Sequence, residues 1–498
     1  MAYLFIIITS VLIILVLSKC ILFRRENKYT YPPGPRGLPF LGNVLQFKDG
    51  AQHLKHRELS KIYGDAHTIS MFGQKTVVLS SMDAVKECRL EHSEDFNHRP
   101  VWLEGLVKIA PGIVFKGADT YKENRRFAMR HLKDHGMGRA ELEPKILGEV
   151  DYVLSIFENA KERTLDPYDL METYTLNVIS QMCFTMSWPH GSEETKRIKH
   201  NMKSINESTE AISALDFLPF LMYVPSLKKM YQDYLKNIEC LQSIGRNVVT
   251  DRQRSVQISN GEESDSSYES GDLVDDFLIA SKHKPSPDEI RNFMDISQDM
   301  FQAGMHTSAT TLTFAIIRLI HNPQIQEELF KEIQQNLGEK TEITMGDIKT
   351  MPMMDAFIQE ILRMYPIAPL IFHATFRDSK LRHFFIPQNT TILINAYGIN
   401  HDENYFTSPE VFDPKRWIEE DGTFKGHERD RIFTFGAGHR ACIGKALARM
   451  EIFLLLVKLL QKYKLVVPDE NNLPSTEIIM HRVVVCSDEF QLKTIPRK

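Results

Sequence analysis

The chain has 498 residues, 43% hydrophobic and 25% charged, so it can bury a sizeable core and is neither a mini-protein nor a disordered or collagen-like chain. Its 60 basic and 65 acidic residues leave a net charge of −5, which supplies no global field for a polyanion and argues against nucleic acid as a partner. The six cysteines, Cys20, Cys88, Cys183, Cys240, Cys442 and Cys486, are scattered without a C-x-x-C pair, as expected of a body facing a reducing compartment.

In chain order the first feature is an apolar run. Between residues 2 and 23 only Lys19 is charged, and a helix of that length measures about 33 Å, enough to cross the hydrocarbon core. Arg24, Arg25 and Lys28 follow the run, and no small-residue cleavage site closes it. Residues 1–23 therefore read as an uncleaved single-pass anchor with the remainder in the cytosol. Residues 24–40 read as a basic, proline-rich linker stiffened by Pro32, Pro33, Pro35 and Pro39.

Residues 41–498 show no internal repeat and read as one large catalytic domain. β-Branched runs at 67–71 and 75–79 around Gly73-Gln74 predict a hairpin, and 384–386 with 391–394 predict a second around Pro387. A third strand pair is expected within 478–494. Helical periodicity covers 148–160, 166–183, 226–254, 287–321, 323–337 and 354–364, with Asp166 and Ser226 suited to N-caps. The serine-rich acidic stretch 255–272 reads as a loop. The fold class is mainly α (α+β), helix-rich with small sheets.

The most specific segment is Phe433-Thr-Phe-Gly-Ala-Gly-His-Arg-Ala-Cys-Ile-Gly444, followed by an apolar helical run over 445–460. A thiolate just ahead of a helix gains from backbone N–H groups and the helix dipole, which makes Cys442 usable as a metal ligand. A lone cysteine in an apolar segment is most often an inert core residue. Glycines before a helix also cradle phosphate, but Gly438 and Gly444 are separated by five residues, and Ala446 stands where such a loop needs Ser or Thr. The glycines suit close approach to a flat ligand, and Arg440 suits a carboxylate on it.

This segment resembles the F-x-x-G-x-R-x-C-x-G signature of the cytochrome P450 family, with Phe435, Gly438, Arg440, Cys442 and Gly444 in place. The resemblance implies the cytochrome P450 fold and a haem b cofactor, with Cys442 as the iron ligand, Arg440 on a propionate and Phe435 shielding the thiolate. Glu360 and Arg363 resemble the family's E-x-x-R, and the segment 412–417 supplies Arg416, which implies a structural Glu-Arg-Arg triad. The stretch 299–308 resembles the central helix over the distal haem face. There Ala303, Gly304 and Thr307 match, Gly304 would open room for oxygen and water, and Thr307 would hydrogen-bond bound O2 and relay protons. His306 stands where an acid is usual; it is read as either a proton shuttle or a solvent-linked histidine without a role.

Residues 121–127 resemble the family's W-x-x-x-R helix, with Tyr121 replacing the tryptophan and Arg125 retained; His373 matches a further propionate contact. By the family layout Phe115, Ala303, Ile367, Leu370, Ile371 and Ile479 would line an apolar substrate pocket. No G-x-G-x-x-G follows a strand, so electrons must arrive from outside. The resemblance implies NADPH used only through NADPH–cytochrome P450 reductase, with cytochrome b5 as a second partner. Lys122, Arg125, Arg126, Arg130 and Lys133 offer a basic docking face. Segments 96–100, 271–278 and 466–469 point to the microsomal drug-metabolising and steroid-hydroxylating branch, and hence to the endoplasmic reticulum membrane. The implied activity is insertion of one oxygen atom from O2 into a steroid, fatty acid or xenobiotic. The alternatives are a haem-thiolate isomerase or dehydratase needing no external electrons, and a non-enzymatic haem or lipid binder.

Overall fold

A computed structural model describes residues 30–497 except 40, 48–49, 101–111, 161–162, 218, 260–270, 339, 341 and 482–483. The anchor read at 1–23 and the linker up to residue 29 lie outside the described residues. Among the described residues no helix is long and apolar enough to cross a membrane. The chain divides into two compact units, the first formed by Met1–Val101, Ala368–Thr407 and Gly436–Ala441, the second by Trp102–Ile367, Ser408–Phe435 and Cys442–Lys498.

The first unit holds helix α1 (Gln52–Tyr63) and strands β1 (Ala66–Met71), β2 (Gln74–Leu79), β3 (Leu370–Ala374), β4 (Ser379–Leu381), β5 (Phe384–Ile386) and β6 (Thr391–Asn395). β1 and β2 form the expected hairpin, with Met71 opposite Gln74. Its turn residues are Phe72 and Gly73, both at positive φ (48° and 80°), as a tight two-residue hairpin turn requires.

The second hairpin expectation is corrected. β6 is buried at every position, so both of its edges need partners. It pairs in parallel with β2 and antiparallel with β3, giving the order β1-β2-β6-β3. β5 pairs instead with β4. Phe47, Leu59, Ile69, Val78, Leu370 and Leu393 form a small core beside this sheet.

The second unit is a helical body: α2 (Ala118–Asp134), α3 (Glu143–Ala160), α4 (Pro167–Phe184), α5 (Glu193–Phe217), α6 (Pro225–Ser259), α7 (Leu273–Ala280), α8 (Pro287–His321), α9 (Pro323–Leu337), α10 (Pro352–Met364) and α11 (Lys445–Lys462). Strands β7 (Tyr463–Val466), β8 (Ile479–His481), β9 (Val484–Cys486) and β10 (Lys493–Pro496) complete it. Asp166 caps α4 as read, accepting the Tyr168 and Asp169 N–H groups. Ser226 does not cap α6, because Pro225, with φ preset for a helix, already begins it. α6 also runs on to Ser259, so the first residues of the predicted 255–272 loop are helical. Within 478–494 only β8 and β9 pair with each other; β10 pairs with β7.

α8 is the axis of this unit. It begins in a capping box, with Ser286 and Glu289 satisfying each other's backbone N–H groups and Pro287 in the first turn. It packs along α4, where the Thr175 hydroxyl donates to the Met305 carbonyl at 2.8 Å.

Candidate functional site

In the second unit Cys442 precedes α11, whose N-cap is Gly444. Its N–H donates to the Phe435 carbonyl at 2.8 Å, closing the segment into a loop; the residue itself is exposed. The surrounding protein raises the thiol above its ordinary range by desolvation; the Gly444 N–H, the Arg125 charge and the Lys445 N–H and ammonium oppose this. Desolvation outweighs these groups for the free thiol, while the same donors and charges remain to stabilise a thiolate on a metal ion. Phe435 packs partly buried against the core, and Lys445 Nζ lies 5.9 Å from its ring centroid.

Arg125 comes from α2, 6.0 Å from the ring centroid of Tyr121, which is itself buried. Lys122, Arg126, Arg130 and Lys133 are exposed, whereas Arg125 is half-buried and acts on Cys442. The basic run therefore splits into an outward face and one inward arginine.

In the first unit the glycine-rich loop supplies Arg440, whose Nε bonds Asn97 Oδ1 at 3.1 Å. Gly438, at φ +66°, is required there, because a Cβ would stand 2.1 Å from the Arg89 carbonyl oxygen. His373, on β3, is buried, and its Nδ1 has no hydrogen-bond partner. Burial, and then the charges of Arg89, Arg99 and Arg440, hold this ring well below the usual histidine range. Arg89 is fully buried and donates to the Phe96 carbonyl at 2.6 Å; Arg99 donates to the Phe372 carbonyl. Three guanidinium groups thus act on one buried imidazole. The motifs pointed to Arg440 and His373 but missed Arg89 and Arg99. Arg99 lies inside the 96–100 segment already singled out, while Arg89 has no local signal at all.

On α8 the Thr307 hydroxyl donates to the Ala303 carbonyl at 2.7 Å. The helix continues through Gly304, and a Cβ there would meet Ile179 Cγ1 at 3.1 Å, so the glycine admits α4. His306 is buried; its Nδ1 lies 2.7 Å from the Tyr168 hydroxyl and its Nε2 3.9 Å from Cys486 Sγ. The Tyr168 hydroxyl donates to Glu172 Oε1 at 2.8 Å. These groups form one wall of a polar cavity of about 400 Å³ that also takes in Lys199, Glu207 and Asp488. No motif pointed to Tyr168 or Glu172.

Of the pocket residues, Phe115 is half-buried, Ala303 exposed and Ile479 exposed in the second unit. Asp299 fixes the turn that carries Phe115 by accepting the N–H groups of Ile113 and Val114 at 2.5 and 2.7 Å. Gly112 permits this, since a Cβ would lie 2.2 Å from Asp299 Oδ2. Ile367 lies in the core of this unit. Leu370 lies in the small core of the first unit, and Ile371 next to it is half-buried.

Glu360, Arg363 and Arg416 form one network. Arg363 donates to both Glu360 oxygens at 2.8 Å, and Arg416 Nε to Oε1 at 3.0 Å. Trp417 Nε1 donates to Oε2 at 2.8 Å, a fourth member beyond the three in the motif.

The family model of cytochrome P450 matches residues 32–494. The chain is 31% identical to cytochrome P450 2C5 of Oryctolagus cuniculus over 97% of this chain and 99% of the relative. It is 33% identical to cytochrome P450 2C41 of Canis lupus familiaris, covering 91% and 93%, and 30% identical to cytochrome P450 2C38 of Mus musculus, covering 91% and 92%. The chain belongs to the cytochrome P450 family and is a cytochrome P450 monooxygenase.

Proposed function

We propose that this monooxygenase inserts one atom of O2 into a lipophilic small molecule of the steroid, fatty acid or xenobiotic type, with electrons from NADPH delivered by NADPH–cytochrome P450 reductase. The observation that carries the reading is the setting of Cys442. It is an exposed cysteine at the head of α11, where the N–H groups of Gly444 and Lys445 and the charge of Arg125 oppose the upward pull of desolvation on its thiol.

The family's prosthetic group is haem b, and the residues fit it. Cys442 offers a thiolate for the iron. Within the first unit, taken by itself, Arg440, Arg99, Arg89 and the unpartnered Nδ1 of His373 suit a carboxylate such as a propionate. When bound, the haem supplies oxygen activation, which thiolate ligation favours by pushing electron density toward the O–O bond. The chain's own work is the remainder. The Gly444 and Lys445 N–H groups and the Arg125 charge would stabilise the sulfur as a thiolate when it ligates iron, and Phe435 would pack beside it. Thr307 presents its hydroxyl one residue beyond His306.

His306 links α8 to the polar cavity. Because the Tyr168 hydroxyl donates to Glu172, its oxygen is left to accept Nδ1–H of His306. Burial raises the Glu172 carboxyl to about 7, so it exchanges protons near neutral pH. We read Glu172, Tyr168 and His306 as a proton-uptake route. The outward basic face of α2 suits an acidic-faced flavoprotein donor, with cytochrome b5 as the second partner. The apolar run at 1–23 suits single-pass anchoring in the endoplasmic reticulum membrane with the catalytic body in the cytosol.

The test is reconstitution with the reductase and NADPH against a library of sterols, fatty acids and xenobiotics, with products identified by mass. The reading expects products heavier by one oxygen that take up label from 18O2. Products of unchanged mass formed without NADPH would replace it with an isomerase. Full haem loading without product on any lipophile would replace it with a binding protein.

A further inference from the structure

The last turn of α2 and helix α7 bring the side chains of two histidines and an aspartate to one point, none of them assigned above. His131 and His135 are four residues apart and so share one helix face. Asp276 comes from α7. Its Oδ2 lies 2.6 Å from His131 Nδ1 and 3.2 Å from His135 Nε2, and the three donor atoms all lie within 4.8 Å of one another. We propose that His131, His135 and Asp276 form a Zn2+ site that clamps α2 to α7.

The donor set is the first reason. Two imidazoles and one carboxylate with an open fourth position suit zinc, which takes nitrogen and oxygen ligands at about 2.0–2.2 Å. Tetrahedral ligand atoms then stand roughly 3.3 Å apart. His135 and Asp276 already have this separation, and His131 needs to withdraw from Asp276 by less than about 1 Å. The second reason is access. His131 is 1% exposed, but His135 and Asp276 are 11% and 23% exposed, which leaves an entry side.

Such an ion would tie the C-terminal end of α2, the helix that carries Arg125 and the outward basic face, to the helix packed beside it. The proposal does not depend on the substrate or the electron donor.

The experiment uses the full-length holoprotein, stripped with a chelator and equilibrated by dialysis against ZnCl2, with bound metal counted by mass spectrometry and melting followed in parallel. The expected result is one additional zinc per chain and a higher melting midpoint. Both are lost in Asp276→Asn and His135→Gln, with zinc affinity down by about a hundredfold or more. His135→Gln can still donate to Asp276 but ligates zinc poorly, so it separates metal binding from a hydrogen-bonded triad. An unchanged ferrous–carbon monoxide spectrum checks that each variant is folded. Zinc uptake equal in wild type and both variants, or no uptake by the wild type, overturns the site.

Discussion

Glu360 shows how much one side chain can hold. It is fully buried and accepts from Arg363, Arg416, Trp417 and the Asp413 N–H, while Arg363 also reaches the Pro409 carbonyl at 2.9 Å. Glu360→Ala leaves the fully buried Arg363 without its counter-charge, which costs about 3–5 kcal/mol. The expected outcome is a lower melting midpoint and loss of haem loading, read from the ferrous–carbon monoxide spectrum. His306 stands where the resembling motif has an acid. His306→Asp puts the usual acid back but gives up the bond to Tyr168. The share of NADPH electrons ending in peroxide rather than product is expected to change by about twofold or more, and Tyr168→Phe should move it in a related way. Equal coupling in all three proteins would mean that the Glu172–Tyr168–His306 chain carries no protons.

At the scale of elements, the contact between α4 and α8 is set by the absence of a side chain. A Cβ on Gly304 meets Ile179 at 3.1–3.4 Å. Overpacking of this kind costs about 1–3 kcal/mol, and the helix propensity regained is about 1 kcal/mol. Gly304→Ala is therefore expected to lower the melting midpoint modestly, and Ile179→Val in the same chain to restore part of it. A midpoint raised by Gly304→Ala alone would show that α4 yields without cost. On α2 the four outward cations are separable from Arg125. Charge reversal by Lys122→Glu with Arg130→Glu is expected to raise the reductase concentration for half-maximal turnover several-fold at low salt, with the difference fading at high salt. The ferrous–carbon monoxide spectrum should stay as it is, since neither residue faces Cys442.

At the scale of the whole molecule, stability follows pH through groups that folding withdraws from water. His53, His56 and His67 are buried in the first unit, and their pKa values fall from 6.5 to about 4, 3 and 4, chiefly by desolvation. His56 Nδ1 and His67 Nε2 stand 3.3 Å apart, so a proton on both is opposed. Below pH 6.5 the unfolded chain takes up protons that the folded one refuses. Stability is thus fully present above 6.5 and is lost as pH falls toward 4, by up to a few kcal/mol on the order of 1.4 kcal/mol per unit and group. Melting midpoints measured from pH 7.5 to 4.5 should decline along this window, and His56→Leu should make the decline shallower. An unchanged slope in that variant would assign acid sensitivity to other groups.

What the sequence by itself determined was local. The cysteine segment declared its chemistry because thiol, glycines and arginine lie within ten residues of one another, and the long helices declared themselves because apolar spacing repeats within a few turns. The tertiary structure decided every pairing across long separations. The runs 384–386 and 391–394 are neighbours in sequence, yet β6 finds its partners in β2 and β3, because a strand buried on all sides needs both edges satisfied and local alternation says nothing about which strands supply them. Arg89 joins His373, Tyr168 joins His306, and Asp276 joins His131 for the same reason. Periodicity along a chain reports which face is buried, whereas the identity of the group waiting on that face is set only when distant segments pack.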